Sequence, residues 1–348
     1  MKAILQDGTG AAEILKLVEI ERPEVRARDV LIRIESCGVC YHDVVVRQGV
    51  FRKRVHLPLV PGHEVAGVVV EAGAAVRTLK VGDKVCTVQR RYVCGECRFC
   101  RSGRETLCEN QEFMGDAHLN GGYAEFVAVS EDCVVKVPEG VSLEEASITA
   151  CAIGTQLNAI RDVAKVRLGE TVLVTGAGGT QGGHGVQVAR ACGARVLAIA
   201  SSEEKAITIR ANGAHDVIIA KHGEDFSPQV RERTFGRGVD VVIDNVGAET
   251  YRSVRRSLAQ GGRWALVGAI SGMKVEFNPA ELFVNGIDML SAVSCSRAQL
   301  EDALRLVSDG VVKPNIMERR PLHEAGLAHE RLEKNLVSGK IVLIPSGC

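Results

Sequence analysis

Glu170-Thr171-Val172-Leu173-Val174-Thr175-Gly176-Ala177-Gly178-Gly179-Thr180-Gln181-Gly182-Gly183-His184 is the stretch on which the fold turns. Its first half is short and apolar, which predicts a buried strand. Gly176, Gly179 and Gly182 then open a helical stretch, Val186 to Cys192, and a second strand follows over Arg195 to Ala200. A glycine-rich turn from strand to helix lets backbone approach a pyrophosphate and points the helix N-terminus at its charge. The spacing is G-x-x-G-x-x-G, with Gln181 in the last position of the stricter G-x-G-x-x-G form, so the turn alone is a weak signal. With strand, helix and second strand around it, it predicts dinucleotide binding through Gly176, Gly178, Gly179, Thr180, Gln181 and Gly182.

Working outward, strands at Val172 to Val174, Val196 to Ile199, Val217 to Ile219, Val241 to Ile243 and Trp264 to Val267 alternate with helical stretches. That alternation predicts an α/β region with a doubly wound parallel sheet. Before about residue 137 the pattern is short strand runs broken by glycine, such as Val65 to Val70 and Tyr123 to Val129, which predicts an irregular β-barrel. Ser142-Leu143-Glu144-Glu145 is a capping-box start for a helix carrying Cys151 and Thr155. After Ser294 the chain is expected to return to the first domain through a helix over Gln299 to Val307, ending at Ile341 to Ile344. The expected domains are 1–151, with an excursion at about 90–110, then 152–294, and a return segment 295–348.

That excursion holds Cys94, Cys97, Cys100 and Cys108, spaced C-x2-C-x2-C-x7-C. Four thiolates on short connectors form a closed tetrahedral shell, the ligand set of a structural zinc. Bacterial iron-sulfur runs place three residues and then a Cys-Pro at the end, whereas seven residues intervene here and Glu109 follows. Arg98, Arg101, Arg104 and Glu105 around the thiols are unlike a core.

Three further residues have the ligand count of an open site. Cys40 stands in Cys37-Gly38-Val39-Cys40-Tyr41-His42-Asp43 after the strand-like Val30 to Ile34, His63 in Pro61-Gly62-His63-Glu64, and Cys151 just before Thr155. Each alone reads as an ordinary buried residue. Two cysteines and one histidine, however, leave a fourth position for water or substrate, as a catalytic zinc requires.

Composition agrees with a two-domain enzyme. The chain has 348 residues, enough for two cores. Lys plus Arg and Asp plus Glu number 43 each, so no global charge argues for nucleic acid or a membrane surface. Residues 1–10 contain no apolar signal segment and no run is long enough to span a bilayer, which points to the cytoplasm and to reduced thiols. Cys37, Cys86, Cys133, Cys192, Cys295 and Cys348, outside the metal sets, imply no disulfide framework and read as buried free thiols.

With G-V-C at Cys40, G-H-E at His63-Glu64, the four-cysteine lobe, Cys151 with Thr155 and the glycine turn in that order, the chain resembles the zinc-dependent alcohol dehydrogenases of the medium-chain dehydrogenase/reductase superfamily over essentially its whole length. The resemblance implies a GroES-like β-barrel catalytic domain and a Rossmann cofactor domain, with the active cleft between them. It implies two zincs per chain, the catalytic one on Cys40, His63 and Cys151, with Glu64 behind it and able to approach it transiently. Asp43 corresponds to the carboxylate that holds the ligating histidine. Thr155 is carried over as a catalytic and cofactor residue, and Asn245, Val246 and Gly268 as further cofactor contacts. Zinc would polarise an alcohol or carbonyl oxygen while hydride passes between the substrate carbon and nicotinamide.

The relay departs from that pattern. Many alcohol dehydrogenases have a serine or threonine two residues after the first cysteine and a histidine five after it; this chain has His42 and Val45. His42 either takes the proton itself or packs. The departure keeps a second reaction open, NADPH-dependent reduction of an enoyl thioester of the acryloyl-CoA kind. Arg90 and Arg91 are then candidate anchors for an acidic or CoA-like substrate, unless they are a solvated pair. A non-catalytic nucleotide-binding regulator is a third possibility. The second strand ends in Ala200-Ser201-Ser202 with Lys205 nearby and no acid at the strand end. This favours NADP(H) over NAD(H), with Glu203 and Glu204 weighing the other way. Ile287 to Val293 is apolar enough to pair edge to edge in a homodimer or homotetramer.

Overall fold

The computed structural model describes residues 1–50, 55–269 and 273–345, so Cys348 lies outside the described residues. The chain forms two units: Met1–Cys151 with Ser294–Asp309 and Pro314–Cys348, and Ala152–Val293 with Gly310–Lys313.

The first unit is organised by strand Asp29–Gly38, whose Val30, Leu31, Ile32 and Ile34 are buried. One edge pairs with Glu64–Ala72 along most of its length. The other edge is shared, Phe126–Ser130 taking Asp29 to Arg33 and Lys340–Ile344 taking Cys37 and Gly38. Ile316–Pro321, Lys84–Thr87 and Val134–Lys136 complete a branched seven-stranded sheet. Register shifts at Leu31/Ile32 and Ile34/Ser36 mark bulges, which bend a strand and increase its twist. This is the form taken by the expected irregular barrel. The strand expected from Tyr123 begins only at Phe126. Tyr123 instead accepts from Ile4 N through its carbonyl, at 2.8 Å, which frees its ring from the alternation of the strand.

Helix Leu143–Ile148 begins with the expected capping box: Ser142 Oγ accepts from Glu145 N at 3.2 Å and Glu145 Oε2 accepts from Ser142 N at 3.0 Å. It lies on the central strands, with the Ser36 and Ser147 hydroxyls 3.1 Å apart. It continues into a π-helical turn, Thr149–Gly154, which carries Cys151. Such turns are frequent at functional sites.

The second unit holds six parallel strands in the spatial order Asp216–Ile219, Arg195–Ala200, Thr171–Val174, Val239–Asp244, Leu258–Leu266, Asp288–Ser291. Numbered along the chain this is 3-2-1-4-5-6, the doubly wound Rossmann order, and its switch point falls at the C-terminal end of Thr171–Val174. The central strands Thr171–Val174, Arg195–Ala200 and Val239–Asp244 are mostly apolar and buried, as expected of a parallel sheet covered on both faces. Leu173, Leu197, Ile218, Val242 and Trp264 pack with Phe226, Val230 and Val254 on one face. Each such burial contributes about 1.5–3 kcal/mol. All five expected strands are present, and Asp288–Ser291 is a sixth at the edge. The described residues contain no helix long and apolar enough to cross a membrane.

Candidate functional site

Strand register assembles the first cluster. Gly38 pairs with both Glu64 and Val342, so the chain running on to Cys40, the chain arriving through His63, and Lys340 meet at one end of the sheet. The π turn brings Cys151 to the same end. The ligand atoms of Cys40, His63, Glu64 and Cys151 all lie within 4.8 Å of one another. The Cys40 and Cys151 sulfurs are 3.9 Å apart. Two sulfurs on a tetrahedral zinc, each about 2.3 Å from the metal, lie about 3.8 Å apart, so the donor set fits zinc.

His63 is buried, and its Nδ1 lies 3.0 Å from Asp43 Oδ1, leaving Nε2 for the cluster. Burial opposes charge on both groups, but their mutual attraction outweighs it. Asp43 is held well below the usual carboxylate range and His63 is lifted well above its ordinary value. The hydrogen bond with Cys151 draws Cys40 well below the thiol range against the effect of burial, and Lys340 and His63 add to the pull. Glu64 is fully buried. Its Oε1 pairs with the buried Lys340 Nζ, which also donates to Val39 O at 3.1 Å. Burial still pushes Glu64 up to about 7. Glu64 stands among the ligand atoms, where the resemblance puts it, and its ammonium partner Lys340 is the residue that sequence reading had not foreseen. His42 sits at the rim, 28% exposed, with Nε2 3.5 Å from Asp116 Oδ1. Its ring stacks edge-on at 5.2 Å from His63.

The second cluster is the lobe. The sulfurs of Cys94, Cys97, Cys100 and Cys108 also lie within 4.8 Å of one another, with Cys94 at 3.5 Å from Cys108 and 4.0 Å from Cys100. Backbone N–H groups of Cys94, Cys97 and Cys100 donate to the sulfurs of Cys108, Cys94 and Cys97 at 3.4, 3.4 and 3.5 Å. Such bonds favour thiolate, and those from Cys100 and Glu109 lower Cys97 to about 6. The set fits a closed zinc.

Arg90 and Arg91 are not anchors for a substrate. Both are buried, so neither is a solvated pair either. Arg90 donates to Ser294 Oγ at 2.9 Å and to Cys295 O at 2.5 Å, tying the return segment to the short strand Arg90–Tyr92 of the first unit. Arg91 pairs with Glu112 at 2.5 Å. Sequence proximity to the lobe does not reveal this, because both sets of partners are long-range.

In the second unit, Gly176 adopts φ +60°, and helix Thr180–Ala191 starts after Gly179. A Cβ on Gly182 would sit 2.3 Å from Gly176 O, so glycine is needed for the first helical turn to close on the strand end. Thr180 and Gln181 open that helix, and the cradle fits a pyrophosphate. Lys205 lies over Gly178, where a Cβ would come within 2.8 Å of its Cδ. Ser201 is exposed, while Ser202 Oγ accepts from Lys205 N at 3.3 Å and caps helix Glu203–Ala211. Val246 packs at Gly176, and Gly268 lies under the Asn245 backbone. The Asn245 amide is engaged within the unit, accepting from Gln156 Nε2 at 2.7 Å and donating to Thr175 O at 3.0 Å. Thr155 is buried at the start of the short helix Thr155–Leu157.

Asp244 was not singled out by its sequence. Fully buried, its carboxylate accepts from Thr175 Oγ1 at 2.7 Å, from Val246 N, Gly247 N and Trp264 Nε1 at 3.1 Å each, and from Thr250 Oγ1 at 3.2 Å. It therefore fixes the loop beside the glycine turn. Asp244→Ala strands these donors and is expected to destabilise the protein by on the order of 3 kcal/mol, read as a lower thermal midpoint together with weaker dinucleotide binding. Its only sequence signal is an acid ending the apolar run Val241-Val242-Ile243, just before Asn245-Val246-Gly247.

Comparison with known proteins accords with these clusters. Residues 26–139 match the alcohol dehydrogenase GroES-like domain and residues 182–309 the zinc-binding dehydrogenase domain. An alcohol dehydrogenase of Geobacillus stearothermophilus is 36% identical over 333 residues, covering 94% of this chain and 96% of that protein. An acryloyl-coenzyme A reductase of Metallosphaera sedula is 33% identical over 344 residues, covering 99% of each. The crystal structure of AibC superposes with a TM-score of 0.93 at 41% identity, covering 99% of this chain and 95% of that one.

Proposed function

The chain belongs to the zinc-binding alcohol dehydrogenases of the medium-chain dehydrogenase/reductase superfamily and is an oxidoreductase, and from that premise we propose that it interconverts an alcohol and an aldehyde or ketone with a nicotinamide dinucleotide. The observation that carries this reading is the meeting of two cysteine sulfurs and one imidazole at Cys40, Cys151 and His63. A zinc held by these residues would supply Lewis-acid polarisation of the substrate oxygen, and a bound dinucleotide would supply or accept the hydride. Cys40 and Cys151 bind as thiolates, and Asp43 holds His63 with its Nδ1 proton inward. His42, partly open to solvent and beside Asp116, moves the hydroxyl proton at its Nε2. Gly176 to Gly182 and the first amides of Thr180–Ala191 hold the pyrophosphate. Metal analysis of active protein is expected to give two zincs per chain. Chelation should remove the open-site zinc together with activity, before the four-cysteine zinc leaves on unfolding. One zinc per chain in fully active protein would overturn this.

NADP(H) is the proposed dinucleotide, supported by exposed Ser201 and by Lys205 over Gly178. Ser201→Asp is expected to repel the extra phosphate and shift preference toward NAD(H), about tenfold in the ratio of kcat/KM values. A wild-type enzyme that already prefers NAD(H) widely would refute the reading.

Reduction of an enoyl thioester is the second reading. It is supported by the acryloyl-coenzyme A reductase relative and by His42 where the alcohol relay has a hydroxyl. The burial of Arg90 and Arg91 removes one argument for it. A panel of secondary alcohols, aldehydes, ketones and enoyl-CoA esters decides between the two. The edge strand Asp288–Ser291, with Val293 51% and Phe283 75% exposed, supports a homodimer formed edge to edge.

A further inference from the structure

We propose that Tyr123 and His329 are positioning residues of the open metal site: they fix the Asp43 carboxylate, and through it the tautomer of His63, so that His63 Nε2 is presented to the metal. The inference rests on the reading of Cys40, His63 and Cys151 as a zinc set and extends it two side chains outward.

Four side chains from separate parts of the first unit form one line. His63 Nδ1 lies 3.0 Å from Asp43 Oδ1, Tyr123 Oη donates to Asp43 Oδ2 at 3.1 Å, and His329 Nε2 lies 3.1 Å from Tyr123 Oη. All four are at most 2% exposed. Water therefore does not share their protons, and counting places each one. An ionised carboxylate only accepts, so the single hydroxyl hydrogen of Tyr123 points at Asp43. The Tyr123 oxygen is then an acceptor toward His329, whose Nε2 must carry its hydrogen. Nδ1 of His329 is left bare, and it has no hydrogen-bond partner. Burial lowers His329 to about 4, so it is neutral, and keeps Tyr123 well above the usual phenol range, so its proton stays.

At the other end, Asp43 Oδ1 obliges His63 Nδ1 to donate. The neutral imidazole with its hydrogen on Nδ1 is the tautomer that offers a lone pair at Nε2. Asp43 Oδ2 has one other donor, Cys40 N at 3.0 Å. Without Tyr123 Oη the carboxylate keeps that single bond at Oδ2 in a dry site and is freer to turn about Cβ–Cγ, which loosens its alignment with His63.

The test uses the zinc-loaded full-length protein and follows zinc release to a chromophoric chelator, with the four-cysteine zinc as internal reference. Tyr123→Phe removes one oxygen and nothing else. It is expected to release the open-site zinc about tenfold faster, the low end of the effect of losing an outer-shell partner, with the four-cysteine zinc unchanged. His329→Leu should behave likewise, while His329→Gln, which keeps an N–H donor, should recover most of the retention. Release from Tyr123→Phe at the wild-type rate overturns the proposal. So does parallel loss of both zincs with a lower thermal midpoint, which would mark Tyr123 as ordinary packing. A wild-type protein with no zinc at the open site would defeat the underlying reading and this inference with it, and that result appears before any substitution is made.

Discussion

Cys151→Ser is expected to lower alcohol oxidation and carbonyl reduction by on the order of a thousandfold or more, because polarisation by zinc supplies several kcal/mol of transition-state stabilisation. Serine lacks the thiolate that zinc prefers, so the set loses one of its two sulfur donors, which lie 3.9 Å apart in the intact protein. Dinucleotide affinity should stay within about twofold, because the glycine turn is built by the second unit's own strand and helix. The measurements are steady-state rates with metal content verified, and dinucleotide binding by fluorescence titration. Full turnover in a variant shown to lack the open-site zinc would mean that zinc is not the electrophile.

Local patterns carried much of this architecture. The glycine turn, the alternating strands and the C-x2-C-x2-C lobe each depend on residues close in sequence, and each is present where the sequence places it. The open set was partly legible: Cys40 and Cys151 are 111 residues apart, and only their ligand count with His63 and the resemblance joined them, since neither has a local signature of a ligand. Groups that act through distant partners were not legible. Tyr123 meets His329 across 206 residues, and Asp244 looks like a strand-end acid until its five donors are seen. Arg90 and Arg91 were misjudged for the same reason. Charge suggested exposure, whereas Ser294 and Cys295 enclose Arg90 from 204 and 205 residues away.

Lys340→Met is expected to destabilise the protein by about 3–5 kcal/mol, the cost of leaving one member of a buried ion pair without the other. Lys340 and Glu64 are 5% and 0% exposed, so neither water nor salt can replace the lost charge. Lys340 also donates to Val39 O at 3.1 Å, one residue before Cys40, so its loss loosens the backbone that presents a metal ligand. Charge imbalance and lost packing predict different outcomes for the double variant. If imbalance dominates, Glu64→Gln in the Lys340→Met background removes the stranded carboxylate and should recover most of the stability. If packing dominates, the two losses should simply add. Thermal or denaturant unfolding of the four proteins in this cycle gives the coupling directly. We expect a coupling energy above about 2 kcal/mol, because a dry pair this close is neither screened nor free to find other partners. Additive losses would instead make Glu64 a neutral member of the site, held by shape and not by charge.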